Sequence, residues 1–184
     1  MDDIAVTLGG SPLAARHHDA ICRLYDDVFT EPPFAWEPAE SQRHREMLAK
    51  LRHDTGFGIA VATTGDLVGF AYGCTLPVDH RWFELLDRPL PEALTAEWEG
   101  RTFGFLDLAV DRAHRDRGLG RRLIDTLLGS RTEDRMLLTV QPTAARTQAI
   151  YRHLGYRHLG RKGPVEDAVT PYWDLYTVDL PAPK

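Results

Sequence analysis

An apolar run of nine residues that leads into a glycine-rich, basic turn restricts the fold of this chain more than any other feature. The run is TFGFLDLAV, Thr102–Val110, and its residues favour a β-strand. The segment GLGRRLIDTLLGS, Gly118–Ser130, follows with its aliphatic residues at helical spacing. The sequence therefore predicts a strand, a turn and a helix in that order.

The turn concentrates positive charge. The sequence RDRGLGRRL, Arg115–Leu123, holds four arginines and two glycines, although the whole chain carries a net charge of −5. The first amides of a helix lack intrahelical partners and lie at the positive end of its dipole, and glycine lets an anion approach the backbone. The pattern predicts a phosphate or pyrophosphate site. A solvated helix face is the alternative, but each glycine inside a helix costs about 1 kcal/mol, which counts against it.

Two common phosphate motifs do not match this turn. A P-loop requires a lysine after its glycines, and none is present here. A dinucleotide-binding fingerprint requires a third glycine where the chain has Leu123. That fingerprint also belongs to an early parallel βαβ unit, whereas this turn lies past the middle of the chain.

The rest of the chain alternates between strand and helix patterns, with no internal repeat and no linker. Further strands are predicted over Ile4–Leu8, Phe57–Thr63, Leu67–Cys74, Met136–Val140, Tyr156–Gly160 and Tyr172–Leu180. Further helices are predicted over Asp19–Phe29, Glu40–His53, Thr143–Leu154 and, as a short piece, Glu92–Trp98. Together they predict a single domain over residues 1–184, of mixed α/β (α+β) class, with a largely antiparallel front half.

Composition argues against several classes of function. Cys22 and Cys74 lie far apart, which is typical of a protein from a reducing cytosol rather than of a disulfide scaffold. The N-terminal sequence has no signal-peptide or membrane-span pattern, and the net charge does not favour nucleic acid. The histidines show no metal-ligand spacing. We therefore expect a cytoplasmic protein with no metal, no nucleic-acid partner and no membrane partner.

Two motifs carry a resemblance to a known family. Arg115–Gly120 reads R-x-x-G-x-G after the strand, and AIYRHLGYRHLG, Ala149–Gly160, places Tyr151 four residues before the pair Gly155 and Tyr156. Their order and distance resemble the GNAT superfamily of N-acetyltransferases, over about residues 4–180. The resemblance implies a GNAT fold, in which a mixed, mostly antiparallel, twisted sheet of six or seven strands is flanked by about four helices and splays after Val110.

The resemblance also implies acetyl-CoA as the cosubstrate. In this family the amides of the glycine turn hold the CoA pyrophosphate, and the preceding strand pairs with the pantetheine arm. Arg121 or Arg122 is the candidate for the 3′-phosphate, and spacing does not choose between them. The other residues implied for acetyl-CoA are Leu108, Ala109, Val110, Arg115, Arg117, Gly118, Leu119 and Gly120.

Tyr151 has an implied catalytic role. The resemblance places it beside the CoA sulfur as the acid that protonates the leaving thiolate. A core aromatic residue at helical spacing with Leu154 is the alternative. The family often has an asparagine near the position of Ala144, so one cofactor or substrate contact differs in this chain.

Asp107 is the first candidate for the base that takes a proton from the acceptor amine. It is an acid in the interior of a strand, on the same face as Phe103 and Phe105. A structural aspartate that caps a turn or pairs with an arginine is the alternative, and Glu97 and Glu99 are second candidates for the base.

Two segments combine aromatic and acidic residues in a way that suits a cationic amine with an apolar body. They are EPPFAWEP, Glu31–Pro38, and the irregular, acidic segment Thr75–Gly100, interpreted as a substrate-side insertion. A lid packed on the core is the equal alternative. The candidate substrate residues are Glu31, Phe34, Trp36, Trp82 and Glu84.

The sequence thus predicts an enzyme that transfers an acetyl group from acetyl-CoA to a primary amine of a small molecule or peptide, by direct attack. A non-catalytic acyl-CoA-binding regulatory module and an acyltransferase for a longer acyl-CoA are the alternatives. A homodimer that uses the final strand is left open.

Overall fold

The computed structural model describes residues 4–166 and 168–181, and this part of the chain forms seven strands and five α-helices. The strands are β1 (Ala5–Gly9), β2 (Gly58–Thr63), β3 (Leu67–Thr75), β4 (Thr102–Val110), β5 (Arg135–Val140), β6 (Arg157–Lys162) and β7 (Trp173–Asp179). The helices are α1 (Ser11–Phe29), α2 (Pro38–Leu51), α3 (Glu92–Thr95), α4 (Leu119–Leu128) and α5 (Ala145–His153).

The strands are hydrogen-bonded in the order β1-β2-β3-β4-β5-β7-β6. The β1–β2, β2–β3, β5–β7 and β6–β7 pairs are antiparallel, and the β4–β5 pair is parallel. The predicted fold class, a mixed and mostly antiparallel sheet flanked by helices, is confirmed. The β4–β5 ladder joins Thr102–Gly104 to Arg135–Leu137 and ends there, earlier along β4 than the predicted splay after Val110.

The chain divides into two compact units, and the first contains the residues up to Cys74 together with Phe105–Arg131. Its core packs α1 and α2 on β2 and β3, and Ile21, Leu48, Phe70 and Tyr72 are fully buried in it. Helix α4 lies close to the same two strands because they have glycine where it packs. A Cβ atom at Gly69 would lie 3.0 Å from Leu123 Cδ1, and one at Gly58 would lie 3.2 Å from Leu127 Cδ1.

The second unit contains Thr75–Gly104 and the residues from Thr132 onward. Its core consists of Leu76, Leu137, Leu159 and Leu175, against which side chains of the predicted insertion pack. These side chains are Trp82, Phe83, Leu86, Leu90 and Leu94. The single acetyltransferase domain over residues 1–184 and the substrate-side role of Thr75–Gly100 stay predictions.

Element boundaries differ most at the N-terminus. Helix α1 begins at Ser11, eight residues before the predicted start at Asp19, because Pro12 lies in its first turn, where a missing N–H costs nothing. Helix α2 begins with Pro38 for the same reason. The last strand, β7, is paired with β5 on one side and β6 on the other, so it has no free edge for pairing across a dimer.

Among the described residues, no helix is both long and apolar enough to span a bilayer. The same part of the chain contains no group of three or more histidine, cysteine, aspartate or glutamate side chains placed to hold a metal ion.

Candidate active site

The glycine turn lies between the end of β4 and the start of α4, as the sequence predicted. Asp111 begins it, and its Oδ1 accepts a hydrogen bond from the Ala113 amide at 3.0 Å and lies 2.8 Å from His114 Nδ1. The contact with His114 lowers the pKa of the Asp111 carboxyl. Arg115 Nε donates to the Val110 carbonyl at 2.9 Å, so the turn is fastened to the end of the strand.

Gly118 and Gly120 shape the start of α4. Gly118 has φ +75°, a left-handed conformation that favours glycine, and no side chain caps the helix after it. A Cβ at Gly120 would lie 3.8 Å from Leu108 and 3.9 Å from Val110. The structure therefore brings the first turn of α4 against the end of β4, with no side chain capping the helix and open space beside Gly118.

The arginines of the turn differ in their contacts. Arg121 pairs with Asp125 on the next turn of α4, at 2.8 Å, and Arg122 donates to the Ile4 carbonyl at 3.0 Å. Arg117 is exposed. The choice between Arg121 and Arg122 for a 3′-phosphate stays open.

Asp107 lies on β4, partly buried, within the first unit. The Tyr72 hydroxyl, from β3, donates a short hydrogen bond to Asp107 Oδ2. Desolvation raises the pKa of Asp107 to about 6, although the hydrogen bond from Tyr72 acts in the opposite direction. Asp107 therefore has a tyrosine partner rather than the arginine or turn amide of the structural alternative.

His44 continues this arrangement from α2. Its Nε2 lies 3.0 Å from the Tyr72 hydroxyl oxygen, and its ring stacks on Tyr25 with centroids 3.5 Å apart. Burial lowers the pKa of His44 to about 3, so the ring is neutral. The sequence prediction missed both His44 and Tyr72. One signal was present, because His44 shares the helical stripe of Leu48 and Leu51 and so belongs to the apolar face of α2.

Tyr151 lies on α5 in the second unit, with 5% of its surface exposed. Its ring centroid is 5.1 Å from that of Tyr156, the aromatic residue of the predicted motif. The burial fits the core alternative, and the position on α5 fits the implied acid.

The start of α5 is held by Gln148 and not by a capping side chain. Ala144 precedes the helix without capping it. One turn later, Gln148 Nε2 lies 3.1 Å from the Gln141 carbonyl and 3.0 Å from Asp174 Oδ2, and Gln148 Oε1 accepts from the Tyr176 hydroxyl at 3.1 Å. Gln148 thus connects α5 to the residue after β5 and to β7.

The two second candidates for the base have different surroundings, both within the second unit. Glu97 is buried, forms an ion pair with Arg135, accepts a hydrogen bond from Thr102 at 2.9 Å and has His80 Nε2 at 3.0 Å. Glu99 is exposed. The contacts of Glu97 are those of a structural ion pair.

The predicted substrate residues divide between the two units. In the first, Trp36 stacks on Phe29 with centroids 4.6 Å apart, Phe34 packs edge-on against Phe29, and Glu31 pairs with Arg112 at 3.6 Å. Trp36 and Phe34 remain partly exposed, and the buried Trp36 Nε1 has no hydrogen-bond partner among the described residues.

In the second unit, Trp82 packs on the leucine core and Glu84 pairs with Arg81 at 2.6 Å. All five substrate residues stay predictions.

Solved structures with the same fold cover nearly the whole chain. NAA60 of Arabidopsis thaliana in complex with acetyl-CoA aligns with a TM-score of 0.68 at 14% identity, over 97% of this chain and 99% of that one. The ribosomal-protein-S18-alanine N-acetyltransferase of Escherichia coli aligns with a TM-score of 0.65 at 16% identity, over 98% and 97%. An acetyltransferase from Thermus thermophilus gives 0.62 at 16% identity, over 96% and 97%.

No curated protein matches the sequence. The family model described as "Acetyltransferase (GNAT) family" matches residues 20–156, which include the second half of α1, the glycine turn and Tyr151. The chain therefore belongs to the GNAT acetyltransferase family, as the two sequence motifs predicted.

Proposed function

We propose that this protein transfers the acetyl group of acetyl-CoA to a primary amine by direct attack. The observation that carries the proposal is the turn between β4 and α4. Gly118 adopts a left-handed conformation at an uncapped helix start, and Gly120 lies against Leu108 and Val110. Family membership supports acetyl-CoA as the acetyl donor.

The residues of the turn fit the phosphate part of this ligand. The amides of Arg117, Gly118, Leu119 and Gly120 would hold the pyrophosphate. Those of Leu119 and Gly120 belong to the first turn of α4, where backbone amides lack helical partners. The end of β4, Leu108–Val110, would pair with the pantetheine arm through its backbone. When bound, acetyl-CoA supplies the thioester from which the acetyl group is transferred.

Two side chains of the chain move protons in this scheme. Asp107 accepts a proton from the acceptor ammonium, which leaves a neutral amine as the nucleophile. A carboxyl whose pKa is about 6 is ionised near neutral pH and still basic enough to take a proton. The amine nitrogen bonds to the thioester carbonyl carbon, the C–S bond breaks, and Tyr151 Oη donates a proton to the departing thiolate. The proton that the nitrogen loses as the amide forms passes to solvent, from which the tyrosinate is reprotonated.

Thiol release from acetyl-CoA tests the proposal. The acceptor panel contains aminoglycosides, polyamines, amino acids and short peptides, and the wild type is compared with Tyr151→Phe. A general acid contributes about 10²–10⁴ in rate, so we expect amine-dependent release that falls at least a hundredfold in this variant. Calorimetry should show unchanged binding of acetyl-CoA.

The matched control is Tyr156→Phe, which removes the hydroxyl of the neighbouring buried tyrosine. It should keep most of the activity. Equal activity of Tyr151→Phe and the wild type would refute the role of Tyr151 as the general acid. Tight binding of acetyl-CoA with no release for any amine would refute the enzyme and favour the regulatory acyl-CoA-binding module. Faster turnover of a longer acyl-CoA would identify the other alternative.

A further inference from the structure

Asp107 is the end of a chain of hydrogen bonds that crosses three elements of the first unit. The Tyr72 hydroxyl, on β3, donates to Asp107 on β4, and His44, on α2, reaches the same hydroxyl from the other side at 3.0 Å. We propose that Tyr72 and His44 are positioning residues that hold Asp107 ionised and oriented as the proton acceptor. The proposal rests on the proposed function of Asp107. We call the three side chains the His44–Tyr72–Asp107 chain.

The number of available protons fixes the direction of these hydrogen bonds. A phenol has one hydrogen, and an ionised carboxylate can only accept, so the hydrogen of Tyr72 points to Asp107. The Tyr72 oxygen then accepts from His44, which requires the neutral ring to carry its hydrogen on Nε2.

The surroundings of His44 support this tautomer. Only 2% of the residue is exposed, and within the described structure Nδ1 is buried without a hydrogen-bond partner. A hydrogen on Nδ1 would leave a buried donor unpaired, and His44 and Asp107 would then compete for the single Tyr72 hydrogen. With the hydrogen on Nε2, every hydrogen in the chain has an acceptor, and only the Nδ1 lone pair is left over.

The groups that face the chain come from α1 and α2. Tyr25 and Cys22 of α1 lie near Tyr72, and burial raises the pKa of each of these three groups. They stay protonated near neutral pH. The charge of Asp107 contributes further to the raised pKa values of Tyr25 and Tyr72.

Four other groups of the same two helices act on the chain or on Tyr25 beside it. Asp26 of α1 and Glu40 of α2 act on Tyr25. His18 of α1 and Arg45 of α2 act on His44 and help to keep it neutral. Of all these groups His18 is the other imidazole, so the test includes a variant of it.

The chain limits the effect of burial on Asp107. Desolvation alone favours the protonated carboxyl, and the Tyr72 hydrogen bond is the contact that favours the carboxylate. Without that bond, Asp107 would remain protonated closer to neutral pH and would not accept a proton from the amine. It would also lose the partner that fixes the position of Oδ2.

The test measures the protonation of Asp107 directly and through catalysis. Carboxyl ¹³C NMR titration of the full-length protein follows Asp107, assigned by the signal that disappears in Asp107→Asn. In Tyr72→Phe we expect its pKa to rise by roughly one to two pH units, because a hydrogen bond to a charged group is lost. The acid limb of the kcat/KM profile should move up by the same amount.

A second pair of variants on a different element keeps the test valid if Tyr72→Phe folds poorly. His44→Gln retains an N–H donor and should keep the pKa of Asp107 near the wild-type value. His44→Leu removes the donor and should raise it, by less than Tyr72→Phe does. His18→Gln should change neither the NMR titration nor the acid limb.

An unchanged Asp107 titration in both Tyr72→Phe and His44→Leu would overturn the proposal, even with a fully active wild type. A shift in the pKa of Asp107 without a shift in the acid limb of the kcat/KM profile would also overturn the proposal, because Asp107 would then not be the proton acceptor. A wild type that binds acetyl-CoA but releases no thiol is a different result, since it refutes the proposed function itself.

Discussion

Replacing Asp107 with asparagine should make the protein more stable while it removes most of the acetyl transfer. An asparagine retains an oxygen that can accept the hydrogen bond from Tyr72, so the packing of β3 on β4 is kept. It removes the negative charge that burial disfavours. Stability and activity should therefore change in opposite directions, which a purely structural aspartate would not produce.

The size of the gain follows from the pKa of Asp107. Its ordinary value is 3.8 and its value in the folded protein is about 6. The folded state thus holds the proton more tightly than the unfolded state, and wild-type stability falls as pH rises through this interval. Above about pH 7, this difference in pKa lowers the free energy of unfolding of the wild type by at most roughly 3 kcal/mol. Below about pH 4 the carboxyl is mostly protonated in the folded state, and the difference is less than about 1 kcal/mol.

Urea unfolding of both proteins, without acetyl-CoA, measures this difference. We expect Asp107→Asn to be more stable by about 1–3 kcal/mol at about pH 8, with little gain at about pH 4. The control is Asp66→Asn, an exposed residue of the β2–β3 turn, which should change stability by less than about 0.5 kcal/mol at either pH. A loss of stability at about pH 8, or the same gain at both pH values, would refute the reasoning.

Two further substitutions separate binding and structural roles. Gly118→Ala should weaken acetyl-CoA binding at least about tenfold by calorimetry, because it places a Cβ at the open helix start. The control is Gly100→Ala, because Gly100 has φ +76°, close to the +75° of Gly118, and equally open space around its Cβ position. It imposes similar strain and should leave acetyl-CoA binding unchanged. Equal affinities of the two variants for acetyl-CoA would refute the pyrophosphate assignment. Glu97→Gln should cost about 3 kcal/mol in urea unfolding, because it leaves Arg135 buried without its ion-pair partner. Glu97→Gln should not shift the acid limb of the kcat/KM profile against pH. A shifted acid limb together with unchanged stability would identify Glu97 as the base.

The elements that position the turn could be predicted because local patterns determine them. The predicted bounds of β4, Thr102–Val110, agree with the structure, and α4 differs from the predicted helix by one residue at its start and two at its end. The predicted start of α1 was wrong because Gly9–Pro12 was interpreted only as the end of the first strand, whereas Pro12 is tolerated in a first helical turn.

The environment of Asp107 could be predicted only in part. An acid within an apolar strand indicated a special site, since such a residue needs a partner when buried. The partner was not predictable, because Tyr72 lies 35 residues before Asp107, and His44 lies 28 residues before Tyr72. Helical and strand periodicity can place each residue on a buried face, but hydrogen bonds between distant segments depend on how those faces pack.

The stability cost of Asp107 and its basicity have the same cause. The aromatic core of the first unit partly shields the carboxylate from water, and this desolvation raises its pKa and destabilises the ionised form. A fully solvated aspartate would cost nothing but would be a weaker base, and a buried one without Tyr72 would stay protonated. The hydrogen bond from Tyr72 keeps the carboxyl between these limits, at a pKa of about 6. If that balance is what the fold maintains, variants of the His44–Tyr72–Asp107 chain that raise the pKa of Asp107 should lose activity near neutral pH and recover much of it at higher pH.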